Sequence, residues 1–550
     1  MTMSLSVVDP STVEIGQSLP PHGPHTITTH LPGWEAVEAA RRRDPSIFTR
    51  VKSFYPRLVI FGLQAKLCES VARKISLPEG YGCAMFLSPD VLESNRVHAV
   101  SAARKDNRLE ASELRHHVVD IGGVRLYLVG FPRAKTAGSI FQWQYGGLGI
   151  SSRVAEALLP HVNSLVHVGE FPDGASYPEP TYFPEGASHA ALRERIAGLI
   201  MRACASEHQK AVGADDVYLY PTGMGAINRL HEAIASRRAG PVVVFGSVFV
   251  HTFTLLEETE GGMKHYGRAS DADLDDFEKY LGGGGECAYV FTEFPSNPIM
   301  VSVDLMRLRR MADKYNFFIV ADDTCASFAN IDLLSAADVV LTSLTKAFSG
   351  YADVMGGSMV LNPNSSRAYP VLKQDISSRF HNALFEADAA CLLANNKDFL
   401  ERSVIHNRNA NALASYFHGL AMDPTNPIAR VWYPPYSPGS NYLKEFQRKP
   451  TADYPAPGYG CLLSVDFRTL EQLAVFVDAM NFFQGPHLGA HLTLVNPYNY
   501  VSYGDEDGAI YAAYGLKQEQ IRISVGLEDQ EALLQRFADA ISKVVAKMAA

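Results

Sequence analysis

A chain of 550 residues, 47% of them hydrophobic and 20% charged, has ordinary globular composition and can bury a large core. At roughly 150 residues or more per domain, that length suggests about three domains. The formal charge of −10 and a pI near 6.0 argue against a nucleic-acid partner. No apolar run approaches the ~18 residues of a membrane-spanning helix. Residues 1–9 lack the basic and apolar regions of a secretory signal. Seven cysteines are dispersed without CxxC or Cys/His ligand spacing, which suits reduced thiols in a cytoplasmic enzyme and predicts neither a disulfide framework nor a metal site.

Residues 1–30, rich in Pro, Thr, Ser and His, read as an extended arm. Helical patterning follows over Gly33–Arg43, Arg57–Ile75 and Arg153–His161, with a polar loop around Ser101–Glu113. The run Trp143-Gln-Tyr-Gly-Gly-Leu-Gly149 breaks regular structure, and Phe171–Pro184, with four prolines, reads as an extended crossing segment. An α/β rhythm then sets in. Apolar runs at Val217–Tyr220, Val242–Phe245, Ala288–Phe291, Phe317–Ala321, Val339–Leu341 and Gly357–Leu361 alternate with helical stretches, which predicts a mostly parallel sheet with helices on both faces. In such sheets ligands bind at the carboxyl ends of the strands. Beyond Arg379 a helix over Arg402–Phe417, strands near Arg430–Tyr433, Cys461–Asp466 and Ile521–Val525, and a closing helix Asp529–Lys547 predict a smaller α+β domain. The division expected is an N-terminal extension (1–165), a large domain (166–385) and a C-terminal small domain (386–550). The glycine run 282–285 lacks the lysine and helix of a P-loop and reads as a turn.

The chemistry concentrates at predicted strand ends. Lys346 lies in Ser343-Leu-Thr-Lys346, after one apolar run, and Asp322 ends another. An amine, an acid and flanking hydroxyls are what pyridoxal 5′-phosphate requires: a Schiff-base partner, a counter-ion for the ring nitrogen and donors for the phosphate. Thr222-Gly223-Met224-Gly225, between a strand and a helix, can offer backbone N–H groups to that phosphate together with Ser343 and Thr345. Phe249 is placed to stack on the ring and Asn297 to meet its hydroxyl, although a core aromatic and a turn asparagine read equally well. Arg522 offers a planar fork for a substrate carboxylate.

Together these stretches resemble the Cys/Met-metabolism family of fold-type I pyridoxal-phosphate enzymes, through Gly223-Met224, Glu293–Pro298, Asp322-Asp-Thr324, Ser343–Lys346, Asp353–Gly357 and Arg522–Glu528. Pro21–His25, Leu31–Trp34, Gly149–Arg153, Gly485–Gly489 and Thr493–Pro497 resemble the long fungal cystathionine γ-synthases. The resemblance implies an α/β fold-type I transferase in which Lys346 carries the cofactor and Asp322 pairs with its ring nitrogen. Gly223, Met224, Ser343 and Thr345 would hold the phosphate, and Arg522 the α-carboxylate of an amino-acid substrate. It implies γ-replacement on an O-acylhomoserine by cysteine or another nucleophile, in a homodimer or homotetramer. Variants forming C–C or C–N bonds in secondary metabolism, a β/γ-lyase and a non-catalytic relative remain alternatives. The sequence also departs from the family. Phe249 stands where a tyrosine is usual, His487 where a serine is, and Asp323 where an asparagine is. Tyr182 matches the tyrosine of a phosphate-binding Tyr-x-Arg pair, but Pro184 replaces its arginine. His487 is a candidate substrate-side helper in proton transfer.

Overall fold

The computed structural model describes residues 8–503 and 508–549, so the first seven residues, and with them most of the stretch read as no secretory signal, lie outside it. Among the described residues sixteen strands form three sheets. The first holds β1 (Tyr81–Phe86), β2 (Arg115–Ile121), β3 (Val124–Pro132) and β4 (Val166–Phe171) in the antiparallel order β1-β3-β2-β4. The sequence predicts no strand before residue 165, so this sheet is a correction, and its last strand runs past that position to Phe171. The signal was present. Val118-Val119 and Leu126–Val129 flank Gly122-Gly123, and both glycines adopt the positive φ of a two-residue hairpin turn (+57° and +81°). Helices Gly62–Lys74 and Ser152–Leu158 cover the sheet, burying Leu67, Val71, Val154 and Leu158 among the strands' apolar side chains.

The second sheet contains β5 (Val217–Tyr220), β6 (Val242–Phe245), β7 (Met263–Tyr266), β8 (Tyr289–Glu293), β9 (Phe318–Asp322), β10 (Val339–Thr342) and β11 (Gly357–Leu361), ordered β5-β11-β10-β9-β8-β6-β7. The five strands from β10 to β7 are parallel to one another, while β11 runs antiparallel to both its neighbours. All residues of β5, β6 and β8 to β11 are buried, as continuous apolar runs covered on both faces require. Three predicted strands start or end one or two residues away from their observed limits. The shift matters at β9 and β8, which run on into the carboxylates Asp322 and Glu293.

The third sheet, β12 (Ile428–Trp432), β13 (Leu462–Phe467), β14 (Phe483–Gln484), β15 (Leu494–Asn496) and β16 (Gln520–Ser524), has the order β12-β13-β16-β15-β14. Helices Phe399–Ala421 and Gln530–Ala549 bury Leu413, Phe417, Leu533 and Phe537 against it. The arm over residues 8–30 packs against both this unit and the large domain: Ile27 N–H donates to Ala352 O (2.9 Å), and just beyond the arm Leu31 N–H donates to Gln484 O (3.1 Å). Among the described residues no helix is long and apolar enough to cross a membrane.

Candidate active site

The carboxyl ends of β8, β9 and β10 deliver Glu293, Asp322 and, four residues beyond Thr342, Lys346 to one region. Glu293 and Asp322 are register partners on adjacent parallel strands. Both are buried, and burial raises both: Asp322 to about 6, and Glu293 to about 8 with Asp322's charge adding to the shift. Asp322 accepts the Thr324 N–H at 2.9 Å, and Glu293 accepts from Phe249 N–H (2.6 Å) and Asn297 N–H (3.1 Å). Asp323 points the other way, taking the Thr342 hydroxyl at 2.6 Å, and burial pushes it up to about 7. A buried acid with a raised pKa is one that lacks a cation, and a protonated ring nitrogen beside Asp322 would supply it.

At the end of β5 the helix Gly223–Ala235 begins. Its cap Thr222 accepts from Gly225 N–H (2.8 Å) and donates to Gly147 O (2.8 Å), which ties the glycine-rich break of the N-terminal region to the helix start. A Cβ on Gly223 would stand 2.9 Å from Ser343 Cβ, so only glycine lets this turn close over Ser343. Met224 is buried in the first turn, with its sulfur 3.5 Å from the Thr252 hydroxyl. Thr345 is fully buried and exchanges hydrogen bonds with Gly356 (3.2 and 3.0 Å). Of the expected phosphate ligands, Gly223 and Ser343 meet at the start of this helix, where backbone N–H groups favour an anion and Met224 is the next residue, while the Thr345 hydroxyl is taken up by Gly356.

Two residues of the N-terminal region, Tyr55 and Arg57, face Lys346. The helix expected from Arg57 begins only at Gly62, because the preceding segment turns inward as Tyr55-Pro56-Arg57. Lys346 Nζ sits 5.0 Å from the centre of the Tyr55 ring. Burial works to raise the Tyr55 phenol, yet Lys346 and Arg57 outweigh it and hold it below its ordinary value. Arg57 is buried, donates to Gln144 O, lies 2.9 Å from His251 Nδ1 and stands 5.3 Å from the Phe249 ring. Tyr55-Pro-Arg57 thus has Tyr-x-Arg spacing beside Lys346 of the same chain. The Tyr182 ring stacks on His381 at 4.1 Å, and its hydroxyl is 3.5 Å from Ser88.

Arg522 of β16 is buried and stacks over Tyr498 (4.3 Å). It donates to Asn297 Oδ1 at 3.1 Å and to Pro486 O. Asn297 thus serves to orient Arg522 in addition to any role at the ring hydroxyl. Among the described residues no carboxylate lies within ion-pairing distance of Arg522 or Arg57. His487 lies with Nδ1 3.4 Å from Lys346 Nζ. Burial lowers Lys346, which Arg522 and Arg57 reinforce, and burial together with Lys346 and Arg522 lowers His487 well below its ordinary value. The groups present fit pyridoxal phosphate: a depressed amine, a buried acid without a cation, an anion cup and two arginines without acids.

The sequence matches the profile of Cys/Met metabolism PLP-dependent enzymes over residues 195–542. The chain belongs to this family. A cystathionine γ-synthase-like enzyme of Amanita muscaria is 32% identical, with 96% of each chain covered. An alanine racemase of Aspergillus violaceofuscus is 36% identical over 76% of this chain and 74% of its own. A solved cystathionine γ-synthase of Xanthomonas oryzae, 22% identical, superposes with a TM-score of 0.52 over 66% of this chain and all of its own, which supports the fold. The protein is thus a pyridoxal-phosphate enzyme of fold type I. Sequence reasoning did not single out Tyr55, Arg57 and Glu293, which the structure places near Lys346 and Asp322, although Tyr55-Pro-Arg57 has Tyr-x-Arg spacing.

Proposed function

We propose that this enzyme performs γ-replacement on an O-acylhomoserine, O-acetyl-L-homoserine in the first instance, with cysteine or another nucleophile. The observation that carries the reading is Arg522, a buried guanidinium with no acid partner, in one site with Lys346 and Asp322. The name of the Amanita relative supports the γ-synthase class.

Bound pyridoxal phosphate supplies an electron sink for negative charge developing at the substrate's Cα. Asp322 would hold its ring nitrogen, and Gly223, Met224, Ser343, Thr345 and Arg57 its phosphate. Phe249 lends a flat apolar face without a hydroxyl. Arg522 grips the α-carboxylate and so fixes the Cα–H bond toward Lys346. Lys346 Nζ, an amine whose affinity for protons is reduced by burial and by two guanidinium groups, takes the Cα proton near neutral pH and next serves Cβ. The acyl group leaves Cγ, the nucleophile enters there, and Lys346 returns protons in the reverse order.

The test is purified enzyme with O-acetylhomoserine, with and without cysteine, and in a parallel reaction with L-alanine, read by mass spectrometry and chiral chromatography. Cystathionine formed only with cysteine supports the reading. A keto acid formed without nucleophile indicates a lyase. Racemised alanine without acyl consumption favours the chemistry in the name of the Aspergillus relative and overturns it.

A further inference from the structure

We propose that His487 relays protons between the incoming nucleophile and Lys346, so that the site accepts nucleophiles that lose a proton on entry, such as a thiol or a carbon acid. The inference rests on the γ-replacement reading above.

The geometry begins with the loop Gly485–Gly489. Gly489 has φ +77°, and a Cβ there would collide with the backbone of Lys346 and Ala347. Its N–H donates to Ser524 Oγ at 2.8 Å, while Pro486 O accepts from Arg522. Ser524 and Arg522 are two apart on β16, so one strand fixes both the carboxylate fork and the loop carrying the imidazole. His487 is buried, its Nδ1 faces Lys346 Nζ at 3.4 Å, and its Nε2 is buried without any hydrogen-bond partner. Leaving a buried polar nitrogen unmet costs on the order of 1–3 kcal/mol, so a native site that keeps one open has a use for it. The ring faces the cations Lys346 and Arg522, with His491 nearby, while Tyr55, Arg57 and Cys325 face Lys346. No acid is among these groups, and a neutral imidazole with one lone pair and one N–H results. Phe249, lacking a hydroxyl, leaves this work undone.

In the relay the Nu–H bond breaks and an Nε2–H bond forms. The Nδ1–H bond breaks as an Nζ–H bond forms on Lys346. The lone pair left on the nucleophile makes the bond to Cγ as Lys346 gives back to Cβ the proton it took there, which leaves Nζ able to accept from Nδ1; the proton so gained passes to water and balances the acyl group released as a carboxylate anion. His487 ends as the other neutral tautomer and is reset by exchange with water. Because it acts through Lys346, it is a positioning and relay residue.

The test uses the holoenzymes of His487→Phe and His487→Ala, each first shown to carry the cofactor's visible band. Solvent-deuterium incorporation at Cα of norvaline, which has no leaving group and takes no nucleophile, reads Lys346 by itself and is expected to fall at least tenfold less than replacement does in both variants. Replacement product is expected to fall about 100-fold, the range of a lost general base, with the loss in kcat/KM for the nucleophile and in its pH profile. Added imidazole is expected to restore the alanine variant. The pH midpoint of the visible band in His487→Phe is expected to move by half a unit or more, since the ring touches Nζ. Replacement at the wild-type rate, an unmoved midpoint, or losses that imidazole does not repair each overturn the relay alone. A wild type that exchanges Cα hydrogen yet makes no replacement product overturns the γ-replacement reading and the relay with it.

Discussion

Arg57→Gln separates a guanidinium that holds the cofactor phosphate from one that merely braces a loop. Arg57 is buried, and its visible partners are a carbonyl (Gln144 O), an imidazole nitrogen (His251 Nδ1, 2.9 Å) and the faces of Tyr55 and Phe249, each 5.3 Å away. Glutamine keeps one donor toward the carbonyl and removes the charge. If the charge meets a phosphate, its loss removes a charge-assisted contact of ~1.5–3 kcal/mol. At 1.4 kcal/mol per decade that is roughly a 10- to 150-fold weaker cofactor Kd. Titration of the cofactor-free protein, followed by the visible band, measures it. Tyr182→Phe is the control: its ring stacks on His381, and the Kd is expected to stay within twofold. An unchanged Kd in Arg57→Gln, or an equal loss in Tyr182→Phe, refutes the assignment of the phosphate to Tyr55-Pro-Arg57.

Arg522→Lys keeps the charge and loses the fork. The visible band is expected to persist while kcat/KM for the amino-acid substrate falls about 100-fold, the ~3 kcal/mol of a strong charged contact; an unchanged kcat/KM refutes the carboxylate role. Gly489→Ala forces a Cβ into the Lys346–Ala347 backbone at a positive φ, so a lowered Tm and an altered visible band are expected together. A lowered Tm alone would place the strain away from Lys346. Asp323→Asn tests the buried acid. Because burial raises Asp323 to about 7, the folded state keeps a proton that the unfolded chain releases from about pH 4 upward. Wild-type stability therefore falls between those values and levels off above them. Asparagine still accepts the Thr342 hydroxyl, so the variant's Tm advantage is expected to grow from pH 5 to pH 8; a pH-independent difference refutes the shift.

The large domain was legible because most of its strands are continuous apolar runs and two of them lead into functional groups, whereas the half-buried Met263–Tyr266 carries no such pattern and went unread. Val339–Leu341 points to Lys346 and Phe317–Ala321 to Asp322, and the structure brings both to one place. Arg522 could be read from its strand in the same way. Residues 51–61 were not legible. Tyr55 and Arg57 reach Lys346 only through packing between the N-terminal unit and the large domain, and Leu58–Ile60 extends the apolar pattern of the following helix backward over a segment that is loop. The sheet of β1 to β4 was overlooked even though the Gly122-Gly123 turn advertised it, since helical stretches on both sides drew the reading. The contact between His487 and Lys346 depends on a loop meeting another loop across two domains, and no local pattern encodes such a meeting.

The distribution of charge explains why these groups sit where they do. Stability alone would pair the buried ions, since an uncompensated buried charge is costly. Here Glu293, Asp322 and Asp323 spend their oxygens on backbone N–H groups and a hydroxyl, while Arg57 and Arg522 spend their donors on carbonyls and an amide oxygen. The acids respond by holding their protons more tightly, and the guanidinium groups, which cannot shed theirs, remain as positive charge. A site in this condition is complementary to a molecule with a cationic ring nitrogen, an anionic phosphate and an adjoining carboxylate. Both the first 165 residues and the C-terminal unit contribute to it: Tyr55, Arg57 and Gly147 from one, His487 and Arg522 from the other. On the proposed assignment of these residues the N-terminal region forms part of the catalytic chamber, while the amine and the acids come from the large domain.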